Sequence, residues 1–160
     1  PRKELFMALP KKGTGSGTSV ELSTDGGTQW KKFLSTSSVD LPTFTRNTAK
    51  VTDNESFKIN NQMDEYVATF IEGGELTVTG FVRSDETDSD GKAAAEEAFF
   101  GGDIVKIRVV GPKWMGITMS YSALITEYQP VGTLDPDNGT TYSLKTKVMS
   151  KPEVTKTVGG

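Results

Sequence analysis

A succession of strands with alternating apolar and polar residues, interrupted by a single helical stretch, constrains this chain more than any other feature. Leu76, Val78 and Val82 alternate with polar neighbours, Asp90 to Phe100 reads as a helix, and Val105, Ile107, Val109 and then Ile117, Met119, Tyr121 alternate again. A period of two places each apolar set on one face of a sheet. The expected fold is therefore mainly β and mostly antiparallel, with one short helix.

Composition narrows the function classes. The chain has neither cysteine nor histidine, which removes thiolate nucleophiles, disulfides, the usual zinc ligand sets and the side chain most often used as a general base near neutral pH. With 18 basic and 21 acidic residues the net charge is −3, which is no footprint for tight nucleic-acid binding. No apolar run approaches the roughly 18 to 20 residues that a membrane-spanning helix requires. At 160 residues the chain suits one domain able to bury a core without staples. No enzymatic activity and no cofactor are expected.

Along the chain, residues 1–19 read as a flexible N-terminal arm, because Lys11 to Gly17 has the glycine and serine content of a linker. The packed domain is expected over 20–150. Val20 to Ser23 and Gln29 to Leu34 flank Asp25-Gly26-Gly27 and form a hairpin pattern. Pro42 interrupts a strand pattern around Ser38 to Thr45 and marks an edge or bend. Residues 46–64 are polar and aperiodic, the pattern of a protruding loop or hairpin. Glu65 to Ile71 and Glu75 to Arg83 then predict a second, central hairpin across Gly73-Gly74. After it, acids from Asp85 to Asp90 lead into the helix, with Ala94, Ala95, Ala98 and Phe99 on its apolar face, Lys92 and Glu96 pairing towards solvent, and Gly101-Gly102 as its stop. Residues 151–160 read as a C-terminal arm.

Several motifs invite chemistry. Glu86, Asp88 and Asp90, followed by Gly91 and by Glu97 at the twelfth position, approach a calcium loop. The first ligand would be Glu rather than Asp, and a strand rather than a helix precedes it. An acidic loop capping a helix explains the same residues without metal. Gly13 to Gly17 lacks the lysine of a phosphate loop. The aromatic residues belong mostly to strand or helix faces where core packing is the default, and Trp114, beside a Pro-Lys turn, is the one expected to be exposed. A monomeric β-sandwich binding module, for carbohydrate through Trp114 or with calcium through the acidic loop, is the alternative these features leave open.

The order of elements resembles the tail tube proteins of long-tailed, siphovirus-like bacteriophages, and is similar to the N-terminal domain of the lambda tail tube subunit. The resemblance is carried by Val39-Asp40-Leu41-Pro42 running into Thr45 to Asp53, the Phe70 to Leu76 segment, the acid-led helix at Ala93 to Phe100, the strands from Val105 to Tyr128 and the closing strand around Leu144 to Met149. It implies two packed antiparallel sheets or a flattened barrel flanked by an α-helix, in a structural subunit whose hexameric rings stack into a tube around a tape-measure protein. It implies too that terminator and tail-tip proteins close the ends and that DNA passes through without specific binding. It further implies that residues 46–64 contact adjacent subunits or rings, with Arg46, Asn47, Lys50, Asp53, Glu55, Phe57, Lys58 and Met63 as interface candidates, and that the arms order on assembly.

Overall fold

The computed structural model describes residues 13–59, 62–87 and 90–157, apart from the side chains at 56 and 57. In chain order the strands are β1 (Ser19–Ser23), β2 (Lys31–Lys32), β3 (Thr36–Asp40), β4 (Thr45–Lys50), β5 (Tyr66–Glu72), β6 (Glu75–Phe81), β7 (Ile104–Val110), β8 (Ile117–Gln129), β9 (Thr141–Val148) and β10 (Glu153–Lys156). Among the described residues two helices, α1 (Asn54–Ile59) and α2 (Gly91–Gly101), interrupt them.

Eight strands form one antiparallel sheet in the order β2-β1-β7-β8-β9-β6-β3, with β10 added beside β8. Strand β8 is long enough to pair with β7 along one side while sharing its other side between β10 and β9. A register shift near Ile125 and Glu127 breaks its pairing with β9, and such bulges bend a strand and increase its twist. The sheet folds over until Thr36–Val39 of β3 and Val109 of β7 line the same cleft. The result is a mainly β body built on one curved antiparallel sheet with open ends at β2 and β3. Its inward positions, among them Leu22, Val78, Ile107, Tyr121 and Leu144, are fully or almost fully buried in one core.

Local chemistry explains the irregular positions. Gly80 sits opposite Tyr142 in the β6–β9 ladder, and a Cβ there would lie 2.6 Å from the tyrosine oxygen. The missing side chain lets the ring lie across the strand and donate its hydroxyl to Leu34 O at 3.0 Å. Helix α2 packs Ala94, Ala95 and Ala98 against the core. It starts at Asp90, whose carboxylate accepts from Ala93 N at 3.0 Å and Thr87 N at 3.1 Å, and stops at Gly102, which adopts the left-handed conformation with φ of 69°.

Pairing at Gly73-Gly74 differs from the sequence expectation. Strands β5 and β6 do not form a hairpin: β6 lies in the large sheet between β3 and β9, whereas β5 pairs with β4 in a separate two-stranded sheet. The glycines serve as a crossing rather than a turn. A Cβ on Gly73 would lie 2.7 Å from Val148 Cβ, and one on Gly74 would lie 2.6 Å from Thr43 O, so the chain passes there between two neighbours with no room for a side chain. Within the segments expected as arms, Ser19 begins β1, residues 153–156 form β10, and residues 1–12 and 158–160 lie outside the described residues.

Candidate assembly surface

The β4–β5 pair, with α1 between its strands, forms an arm projecting from the body. Its stem is extended past Lys50 by a backbone bond from Val51 N to Glu65 O at 2.9 Å and by Glu65 N donating to Thr52 Oγ1 at 2.7 Å. Lys50 pairs with Asp64 at 3.2 Å. Asp53 accepts from Glu55 N at 3.0 Å at the start of α1, so six residues of the expected loop are helical. Arg46 donates to Thr69 O at 3.1 Å across the ladder. The candidates Arg46, Asn47 and Lys50 lie on β4, Asp53 precedes α1, Glu55, Phe57 and Lys58 lie on it, and Met63 follows it. All eight therefore belong to this one projection, with the Phe57 side chain outside the described residues.

More telling is β5, which the sequence pattern marks as central. Every residue of it is exposed, including Tyr66 at 55%, Val67 at 45%, Phe70 at 81% and Ile71 at 57%. One bulge distributes these residues. Asn47 stands alone between the pairs Thr48↔Ala68 and Arg46↔Ile71, so two residues, Thr69 and Phe70, oppose it. Counting the pleat through that bulge puts Tyr66 and Ile71 on one face and Val67 and Phe70 on the other. A strand that is apolar on both faces is the pattern of a strand buried on both faces, yet among the described residues only its Ile71 end lies beside the body, next to Val148 and Met149, and every residue of it stays exposed. Further large apolar residues are exposed on the body, notably Phe100, Ile104 and Leu134. The expectation of core packing thus fails for Phe70, Phe81 and Phe100.

Pairing edges are open as well. Strand β3 has β6 on one side only, and β4 and β5 pair only with each other among the described residues. Such edges are templates for strands of another chain.

The acidic loop has different work. Glu86 pairs with Lys92 at 3.1 Å and accepts from Arg83 N at 3.1 Å, both oxygens of Asp90 are engaged by the helix cap, and Glu97 is exposed on α2. Asp88 lies outside the described residues. No cluster of three or more potential ligands among His, Cys, Asp and Glu occurs among the described residues. Lys92, expected to face solvent beside Glu96, is instead buried, with its ammonium 5.0 Å from the Tyr142 ring centroid. Replacing Asp90 with Ala is expected to cost about 1 kcal/mol, lowering the melting temperature by roughly 2–4 °C for a chain of this size. The same scan with calcium should show no rise for the parent protein; a calcium-dependent rise would restore the metal alternative. Trp114, expected to be exposed, packs on Gly13 and donates its Nε1 to Thr14 O at 2.9 Å, so its ring is already covered in part.

A mainly antiparallel β body with one flanking helix and a projecting two-stranded arm is the tail-tube-like fold. Several solved structures share this fold. A chain in the tail of an empty gene transfer agent particle with six-fold symmetry superposes with a TM-score of 0.67 at 16% identity, over 90% of this chain and 99% of that one. A chain of the six-fold symmetrised baseplate of the anti-feeding prophage gives 0.70 at 9% identity, over 92% and 98%. The SPP1 tail tube gives 0.65 at 11% identity, over 92% and 81%. By sequence, the chain matches no family profile and no curated protein. The shared property is therefore the fold. Among the described residues no helix is long and apolar enough to cross a membrane.

Proposed function

We propose that this protein is a non-enzymatic structural subunit of the tail tube of a siphovirus-like phage particle, assembling into hexameric rings that stack into a conduit for DNA. The carrying observation is the exposed arm with apolar residues on both faces of β5. Surfaces of that kind on a soluble chain mark association sites, and the open strand edges are of the same character. The likeness to a chain from a six-fold tail supports the ring number. In this reading the lumen holds a tape-measure protein during assembly, terminator and tail-tip proteins bind the tube ends, and the small negative net charge suits a channel that must not grip phosphate.

The test is negative-stain electron microscopy over a concentration series, with light scattering for mass on the same samples. Rings or hollow tubes are expected as concentration rises. A monodisperse monomer throughout, including after addition of tail-tip or tape-measure partners, would rule the reading out.

A further inference from the structure

Beside the root of the arm lies a groove of about 420 Å3 lined by Phe44, Ile71, Val148, Met149, Lys151 and Pro152. Gly73 forms part of its wall, and the tight approach of Gly73 to Val148 shows that a side chain at that position would intrude on it. Ile71 opens into the groove, whereas the next residue back along β5, Phe70, points to the opposite face and is 81% exposed. A protruding aromatic ring and an apolar groove thus stand back to back on one strand.

From this geometry we infer that Phe70 of one copy inserts into the Phe44–Ile71–Met149 groove of the next. The inference rests on the reading of the chain as a subunit of a homo-oligomer, and it names the contact. Knob and hole on opposite faces of the same element cannot satisfy each other within a chain or in a two-fold pair. They can do so head to tail, each copy donating once and accepting once, which is the heterologous relation that closes a ring. Charge agrees with the docking. Glu72 shares the Phe70 face of β5 by the pleat, and Lys151 stands at the rim of the groove, so insertion brings a carboxylate of the donor towards an ammonium of the acceptor. An aromatic anchor filling a desolvated pocket with a charged rim is the usual form of an interface hot spot.

The native chain has no cysteine, so introduced thiols report without background. Phe70→Cys and Met149→Cys are made singly and together, and each is oxidised mildly under conditions where the parent forms rings or tubes. The expected result is a ladder of covalent oligomers from the double variant, dimers from an equimolar mixture of the two single variants, and no covalent product from either alone. Phe70→Cys linking to itself would overturn the head-to-tail contact in favour of a two-fold one. Rings or tubes in the double variant with no covalent product would overturn the contact and leave the subunit reading standing, whereas failure of the parent to assemble at all would remove both. Should the cysteine variants not assemble, a charge exchange serves instead. Glu72→Lys should raise the concentration needed for assembly at least tenfold, and Lys151→Glu in the same chain should reverse that; absence of reversal would count against the contact.

Discussion

A variant carrying Tyr66→Thr, Val67→Thr, Phe70→Thr and Ile71→Thr is expected to fold with a melting temperature within a few degrees of the parent's and to stay monomeric at concentrations where the parent assembles. All four side chains are exposed and lie outside the core cluster, and threonine keeps the strand preference of the residues it replaces. Exposed substitutions of this kind change stability by about 0.5 kcal/mol or less each. Association is another matter. Burying a large apolar side chain contributes about 1.5–3 kcal/mol, so four of them hold roughly 6–12 kcal/mol of gross interaction, part of which ordering and lost freedom offset. If half survives, the concentration needed for assembly rises about 100- to 10,000-fold, at 1.4 kcal/mol per tenfold. Sedimentation velocity on parent and variant, with thermal unfolding of both, reads the two effects separately. Tubes at the parental concentration would show that β5 is not an assembly surface; a large loss of melting temperature would show that the arm belongs to the folding unit.

How much of this surface was legible beforehand depends on the physics behind each signal. Alternation at Val105–Val109 reports burial on one face, and that strand buries the residues it marks; in β8 the expected strand forms, but burial alternates only from Tyr121 on, residues 117–120 being all half-buried. The helix was legible because its start and stop are local chemistry, an Asp90 cap and a left-handed Gly102. The first half of the arm, over 46–64, was legible as a rise in polarity, whereas its second strand, Tyr66–Glu72, was not, nor was its six-residue helix, because so short a helix leaves no periodicity to detect. Strand β5 misled in an instructive way. Its residues, apolar on both faces, do signal two-sided burial, but a single sequence cannot say whether the covering atoms belong to the same chain. Gly73-Gly74 misled because a glycine pair marks either a turn or a close approach, and only the position of Thr43 and Val148 separates the two. Lys92 shows the limit of helix-face reasoning: the i,i+4 partner Glu96 was available, yet Glu86, six residues earlier on the preceding loop, lies within 3.1 Å.

Gly74→Val is expected to lower stability and abolish assembly together, a combination that the β5 variant should not produce. A Cβ at Gly74 would meet Thr43 O at 2.6 Å and Thr43 N at 2.8 Å. Both are backbone atoms, so no rotamer change relieves the clash and the two strands of chain must separate. Gly74 O also accepts from Val148 N at 3.2 Å, a bond that separation would stretch. Overpacking costs about 1–3 kcal/mol and more where the neighbours cannot yield. At about 3 kcal/mol the melting temperature should fall roughly 6–12 °C in a chain of this length. The same crossing holds the arm: Thr43 leads into β4 and Gly73-Gly74 leads out of β5, so moving them apart re-aims a surface whose own side chains are untouched. Assembly should therefore fail although Phe70 and Ile71 remain exposed. A variant that melts lower but still forms tubes would mean that the arm finds its partner independently of the crossing, as a tethered strand would; one that keeps both properties would mean that the close approach of Gly74 to Thr43 carries no constraint.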